Sequence, residues 1–491
     1  MLPTDPLHRF SVECASAVFA YLSASDLAHC ERVSRGWRTF TRQWMASFGL
    51  RLHYPHEVDR LGTLKADTAI TRFKSYAALR ANIRRGRPSI VCKYERTRAF
   101  LAAGDFCVWL KHNEGIFWQH MSYQGGVFPQ PASLLDPADA FHSYLDPTEL
   151  MVLGANGYLL IRYPADSPPG TVTKNYRDTL YCLKTGKQMW TRHYQRESYD
   201  VPFFTPLLVG EDRVYFGRVT TGRGGSSEIH AYALHSGELL YRADTVAHSS
   251  SYCGFLDTRP HPYGIPLQLV RGAEDELILV CKPHSQTERL VTIHLINGTN
   301  GNLHQKMLVD VLTSPYILVS ASKSAFTLIS HERYTSTVRI QTFSRQTNGQ
   351  FAEIRIETVD LPSPHDFRHL ALDPFSQAMV ALREEGTVPC CSSLEDACDD
   401  SLLSSRKAAF KPFFSPKRLD RCLVTSAVSE VALPPRSEGA KSLDSLPPGS
   451  GLNREGLSVV DGHRFTVNGE RHESLDIWTV YLLDFNPRAR V

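Results

Sequence analysis

The sequence lacks an excess of charge of either sign: across 491 residues, 54 Lys and Arg stand against 51 Asp and Glu, a formal net charge of +3. No long-range field therefore steers the chain toward nucleic acid or a membrane surface, and no nucleic-acid or membrane partner is expected. It also lacks any apolar run of about eighteen residues, so no helical membrane span is expected. The eleven Cys, from Cys14 to Cys422, include no C-x-x-C pair of the kind a structural zinc site needs. Their odd number and scatter fit a reducing compartment better than a disulfide framework. The opening residues carry Pro3, Asp5, Pro6 and His8 where a secretory leader needs a basic stretch and then an apolar one. The expected location is cytoplasmic and/or nuclear. G-x-x-x-x-G-K-[ST], H-E-x-x-H and G-x-S-x-G are all missing, which removes the commonest phosphate, zinc and serine-hydrolase signatures. A single glycosylation sequon, Asn297-Gly298-Thr299, is what chance supplies.

What is present is enough apolar material, 42% of residues, for a sizeable core, read by length either as roughly two to four ordinary domains or as one large repeat array. From Ser11 to Phe48 apolar residues recur at helical spacing: Val12, Ala15, Phe19 and Leu22; Leu27, Cys30 and Val33; then Trp37, Phe40, Trp44 and Phe48. The pattern predicts three short amphipathic helices, the second starting near Ser23 to Ser25 from the Ser23/Asp26 capping box, with a break at Gly36. About forty residues of thin helices bury too little surface to stand alone, so a partner surface is expected to cover them.

Glu13, Val18-Phe19, Tyr21-Leu22, Asp26-Leu27, Val33-Ser34 and Trp37 fall in the order and spacing of an F-box, and this segment, under a tenth of the chain, resembles that family. Phe10 and Ser11 occupy the places where the family usually has Leu-Pro. The resemblance implies binding to the Skp adaptor, and through it to cullin, by Val18, Tyr21, Leu22, Leu27, Val33 and Trp37. A helical cap packed on the following domain is the alternative for the same residues.

Beyond about residue 85 the period becomes two, as in Val291-Thr292-Ile293-His294-Leu295 and Val338-Arg339-Ile340-Gln341, which predicts half-buried strands. A larger repeat lies above this. Asp178 to Trp190 is echoed by Glu228 to Tyr241, each a strand, a turn closed by Gly, and a strand opening toward an aromatic. Weaker copies carry Gly115, Gly301 and Gly349, so successive turn glycines are 71, 51, 64 and 48 residues apart. A tight hairpin demands positive φ, which Gly adopts without steric cost. Trp190 and Tyr241 are placed to fill the wedge between neighbouring blades. The unit resembles the repeat of quinoprotein-type propellers and, more distantly, WD repeats. Asn468-Gly469 signals a further hairpin among the last strands.

The expected fold is mainly β: a small three-helix F-box-like unit at residues 8–50, a linker or helical connection at 51–87, a β-propeller of about seven four-stranded blades at 88–391 and 457–487, and a disordered insertion at 392–456. A β-solenoid or two β-sandwiches would give similar strand patterns. The insertion carries Ser415 before Pro416-Lys417-Arg418, the form of a proline-directed phosphorylation site. Gly222 to Ser227 reads as a blade loop, since no helix follows to offer its dipole to phosphate. Cys390-Cys391 reads as ordinary thiols over a redox pair, the isolated His261 and His365 as satisfied or solvated side chains over metal ligands, and Arg84-Arg85-Gly86-Arg87 as a solvated junction.

No cofactor is expected. The resulting expectation is a non-enzymatic adaptor: a substrate receptor of a Skp-cullin-F-box ubiquitin ligase, with the propeller binding an unknown target protein. A propeller scaffold outside any ligase and a quinoprotein-like cofactor enzyme are the alternatives.

Overall fold

A computed structural model describes residues 11–22, 24–54, 65–84, 88–111, 114–121, 129–134, 151–165, 174–196, 203–219, 227–245, 267–271, 276–281, 290–319, 324–331, 337–360, 367–373, 378–383, 407–412, 429–432, 457–461, 464–472 and 477–486. The chain is mainly β, with a helical unit before a β-propeller.

The helical unit contains α1 (Val12–Tyr21), α2 (Ala24–Cys30), α3 (Arg35–Trp44), a π-helical turn (Met45–Gly49), α4 (Leu50–His53) and α5 (Ala66–Arg84). α2 starts inside the expected window, although Ser23 itself lies outside the described residues. The break expected at Gly36 falls earlier. Ser34 caps α3, its hydroxyl accepting from the Trp37 backbone N–H at 3.2 Å, and Gly36 lies within the first turn.

Residues 51–87, expected as a linker or helical connection, contain α5, and Tyr54, Ile70, Phe73 and Ala77 share one buried core with Phe19, Leu27, Trp44, Met45 and Leu50. α5 supplies the surface that three thin helices need. Phe48 was expected on the apolar face after Trp44, but it is 59% exposed and Leu52 45% exposed. The π turn adds one residue to the helix, so Gly49, Leu50 and His53 turn inward instead. Glycine fits at 49 because a Cβ there would stand 2.9 Å from Trp44 Cζ3 and 3.2 Å from Phe73 Cε2.

The strands are β1 (Ile90–Ala103), β2 (Phe106–Lys111), β3 (Gly115–His120), β4 (Ala132–Ser133), β5 (Met151–Leu153), β6 (Tyr158–Ala165), β7 (Lys174–Cys182), β8 (Lys187–Arg196), β9 (Phe203–Val209), β10 (Arg213–Val219), β11 (Ser227–Ala233), β12 (Leu239–Thr245), β13 (Leu267–Arg271) and β14 (Glu276–Cys281). They continue as β15 (Leu290–Asn297), β16 (Leu303–Asp310), β17 (Thr313–Val319), β18 (Ala325–His331), β19 (Thr337–Arg345), β20 (Phe351–Asp360), β21 (Phe367–Asp373), β22 (Ala378–Arg383), β23 (Lys407–Pro412), β24 (Ser429–Ala432), β25 (Leu457–Asp461), β26 (Arg464–His472) and β27 (Ile477–Asp484). Five four-stranded antiparallel meanders stand apart: β5 to β8, β9 to β12, β13 to β16, β17 to β20 and β21 to β24. The other strands form one seven-stranded sheet in the order β25-β26-β27-β1-β2-β3-β4.

About seven separate four-stranded blades were expected, and this is corrected to five separate blades and the seven-stranded sheet. The cause is β1. Its first half, Ile90 to Tyr94, pairs with Asp484 to Val480, while its second half, Ala99 to Ala103, pairs with Leu110 to Phe106. Register shifts on both sides fall around Thr97, next to Arg96, which takes φ +55°. Such a bulge bends one long strand enough to serve two neighbours. The first and last strands of the β region are thereby joined.

Each core lies between successive sheets. Leu159 and Ile161 of β6 pack with Phe106 and Val108, whereas Leu160 between them packs with Val214 and Phe216. Likewise Leu277 and Leu279 of β14 join Tyr215 and Ile229, while Ile278 and Val280 join Phe326 and Leu328. Period-two alternation thus feeds two cores, one on each face. Along the ring, β1 lies against β5, β5 against β9, β9 against β13 and β13 against β17; β21 lies against β25 and β25 against β1. The half-buried reading of the strands is therefore corrected. Thr292 and His294 are 7% and 3% exposed, because a second sheet covers the face expected to meet solvent.

Gly115, Gly186, Gly237, Gly301 and Gly349 all have positive φ, between 66° and 108°. The last four close the turn between third and fourth strands, but Gly115 joins β2 to β3 and is out of phase with the repeat. Trp190, four residues after Gly186, donates from Nε1 to the Leu234 carbonyl of the next sheet at 2.7 Å and lies against Gly237. Tyr241, four after Gly237, donates to the Gly298 carbonyl at 2.8 Å and lies against Gly301. Gln305, four after Gly301, exchanges two 2.8 Å hydrogen bonds with the Phe351 backbone. One position therefore clasps the next blade's turn three times in succession.

This device sets a test. Gly186→Ala strains only φ, with nothing within 4 Å of the new Cβ, and is expected to cost about 1–2 kcal/mol. Gly237→Ala adds a clash with Trp190 Cδ2 at 2.9 Å and is expected to cost about 1–3 kcal/mol more. Chemical denaturation of both variants measures the difference; equal losses would remove the clasp.

Two segments differ from expectation near the end. Residues 392–456 were expected to be a disordered insertion, yet β23 and β24 fall within them and complete a sheet on β22. Pairing with the apolar β22 selects short strands that composition alone did not mark. Asn468-Gly469 lies inside β26, where Asn468 faces Val480 and Arg471 faces Trp478, so the dipeptide forms a bulge and not a hairpin turn. The helical unit joins the propeller through Asn82, which donates to the Phe485 carbonyl at 3.1 Å, and through α5 lying against β23.

Candidate protein-interaction surface

α1 begins at Ser11, whose hydroxyl accepts from the Cys14 backbone N–H at 3.3 Å. The Ser11 hydroxyl also hydrogen-bonds Glu13, holding that carboxyl below its ordinary range. Ser11 is thus a functional helix cap. Ala15 and Phe19, four residues apart, enter the core; Val18 and Tyr21, three apart, lie outward at 47% and 75% exposure.

Phe19 anchors the unit. It stacks on Trp37 with ring centroids 5.7 Å apart and meets Phe40 and Trp44 edge-on at 5.1 and 6.0 Å. Val33 lies in the tight turn between α2 and α3, its N–H bonded to the Cys30 carbonyl at 3.2 Å, and is 64% exposed. The six residues expected to bind the adaptor therefore divide. Val18, Tyr21 and Val33 are exposed; Leu22 and Trp37 are half-buried against the helical core; Leu27 is fully buried and shapes the surface from beneath.

Three cations lie close to Val33 in the chain. Arg32, Arg35 and Arg38 are exposed and, among the described residues, form no ion pair. Glu31 is taken by Lys74 at 2.7 Å and Arg42 pairs with Asp67 at 3.2 Å. Attention to the apolar pattern missed the three arginines, although their spacing of three was the available signal.

On the propeller, the turns between first and second and between third and fourth strands share one end of the ring. The connecting segments at the other end, such as 166–173, 197–202 and 220–226, lie outside the described residues. So do Ser415, Cys390, Cys391, His261, His365 and residues 85–87. Among the described residues no group of three or more His, Cys, Asp or Glu is placed to hold a metal ion, and no helix is long and apolar enough to cross a membrane. Burial pushes the Cys92 thiol up to about 11 and the Cys107 thiol up to about 12, which makes both poor nucleophiles.

No family model matches the chain, and no curated protein matches it by sequence. Solved structures resemble it in outline. The β-propeller domain of Cps50 (Swd1) from Myceliophteria thermophila is 9% identical, with TM-score 0.36, over 80% of this chain and 98% of that one. The WD40 domain of SCAP from fission yeast is 8% identical, with TM-score 0.39, over 81% and 98%. Sqt1 of Saccharomyces cerevisiae is 10% identical, with TM-score 0.33, over 77% and 81%. The propeller assignment is carried by the strand order and by the cores shared between successive sheets.

Proposed function

We propose that this chain is a non-enzymatic substrate receptor of a Skp-cullin-F-box ubiquitin ligase, its helical unit binding the Skp adaptor and its propeller binding a target protein. The supporting observation is that Val18, Tyr21 and Val33 remain exposed on a helical unit whose buried core does not include them. Exposed apolar groups gathered on one small unit fit a partner surface. The propeller is compatible with a protein-interaction scaffold, and its role is positioning: it holds the target near the charged conjugating enzyme and raises its effective concentration. Cytoplasm and nucleus, where such ligases work, are the compartments this reading assigns.

The test is binding of the purified chain to a purified Skp adaptor by calorimetry. Tyr21→Ala combined with Val33→Ala is expected to weaken binding at least about 10- to 100-fold, since each buried side chain contributes about 1.5–3 kcal/mol. The melting temperature is expected to stay unchanged, because both side chains face solvent. A wild-type chain that does not bind the adaptor would leave the alternative of a propeller scaffold outside any ligase.

A further inference from the structure

We infer that the surface carrying Val18, Tyr21 and Val33 docks on an acidic protein surface, with Arg32, Arg35 and Arg38 contacting its carboxylates; this deepens, and rests on, the reading of that surface as the adaptor-binding site. The first ground is local charge. Residues 24–44 hold four Arg against Asp26 and Glu31, in a chain whose total charge is nearly balanced. Lys74 removes Glu31 and Asp67 removes Arg42 from the account, which leaves Arg32, Arg35 and Arg38 as exposed cations within five residues of exposed Val33.

The second ground is their place on the helix. A helix N-terminus carries partial positive charge and favours acidic side chains. The first turn of α3 contains no acidic residue and does contain Arg35, with Arg32 just before it and Arg38 one turn on. These arginines oppose the dipole of their own helix, and no ion pair among the described residues offsets that. A local rule broken without compensation inside the fold points to compensation from outside it. Arg38 donates from Nε to the Glu31 carbonyl at 3.4 Å, which holds its guanidinium beside the α2–α3 turn.

The third ground decides the partner's chemistry. A phosphate backbone would engage the cations and leave Val18 and Val33 in water. A protein surface with an apolar centre and carboxylates around it satisfies both sets at once. Guanidinium groups bind carboxylates through two parallel hydrogen bonds, so Lys would serve less well at these positions.

The experiment uses the full chain, a purified Skp adaptor, immobilised polyglutamate and duplex DNA. Adaptor binding is expected to weaken about tenfold or more between ~0.05 and ~0.5 M salt, where exposed charges are screened. Arg35→Glu combined with Arg38→Glu is expected to weaken it about tenfold or more at low salt, to flatten the salt dependence, and to leave the melting temperature equal or higher because the helix dipole is relieved. Adaptor binding that neither salt nor the double variant alters would overturn the charge inference while leaving the adaptor reading in place. Absence of adaptor binding, with polyglutamate retained by the wild type and lost by the double variant, would overturn the adaptor reading and support the acidic partner. Duplex DNA bound as tightly as polyglutamate would overturn an acidic protein in favour of a general polyanion.

Discussion

Asp178→Ala is expected to destabilise the propeller by about 3–5 kcal/mol, measured as a lower midpoint in urea. Arg162 Nε donates to Asp178 Oδ1 at 2.7 Å and Nη2 donates to Oδ2 at 2.9 Å, a two-pronged pair whose side chains are 7% and 2% exposed. The residues face each other across β6 and β7, on the strand faces that also carry Leu160 and Leu180. Those leucines pack on Val214 and Phe216, so the pair lies in the seam between two blades. Arg cannot shed its proton, and removal of Asp178 takes the carboxylate away from a guanidinium where water is excluded. The pair itself need not be stabilising, since its desolvation offsets much of its attraction. Arg162→Met combined with Asp178→Leu is therefore expected to recover stability to within about 1–2 kcal/mol of wild type. A loss below about 1 kcal/mol for Asp178→Ala alone would mean that the seam admits water.

The second large effect is expected at Phe73, in α5. Its ring is fully buried and meets His53 and Tyr54 edge-on at 5.7 and 5.6 Å, beside the close approach at Gly49. Phe73→Ala is expected to cost about 3–5 kcal/mol, because the surrounding aromatic rings cannot collapse into the space. The residue lies far in sequence from α1, which makes hydrogen exchange informative. Loss of protection in α1 and α2 is the expected result, since the segment containing Phe73 is part of their core. If α1 to α3 kept their protection, residues 51–87 would be a connection after all. Because the surface proposed to bind the adaptor is built on the same core, this variant is also expected to weaken adaptor binding, in contrast to Tyr21→Ala with Val33→Ala, which is expected to leave stability intact.

Some of this architecture was legible because it rests on local chemistry. The α1 stripe of Ala15 and Phe19 follows from a period of 3.6, and the turns at Gly186, Gly237, Gly301 and Gly349 follow from the demand for positive φ. Trp190 and Tyr241 were placed correctly between blades because large aromatics after a tight turn must find cover. The repeat phase was less secure. Gly115 satisfies the same local rule but joins a different pair of strands, and the sequence around it carries no mark that distinguishes them.

The candidate surface was legible in part. The resemblance to an F-box assigned Val18, Tyr21, Leu22, Leu27, Val33 and Trp37 to it, but neither that motif nor helical spacing says which side of a helix a later element will cover. α5 lies against α2 and the π turn, and this left Val18, Tyr21 and Val33 outside. Phe48 was misplaced for a related reason: a π turn is chosen by the packing of Trp44, Gly49 and Phe73, which no window of neighbouring residues contains.

By itself, then, the sequence determined the helical unit followed by a β-propeller, the turn glycines, the inter-blade aromatics and the apolar residues of α1 to α3, all consequences of backbone sterics and short-range periodicity. The tertiary structure decided what depends on distant partners. A second sheet buries the polar faces of β15 and β19, and bent β1 joins the first and last strands of the β region into one sheet. α5 completes the helical core, and Lys74 and Asp67 pair with Glu31 and Arg42, which leaves Arg32, Arg35 and Arg38 exposed, as Val33 is.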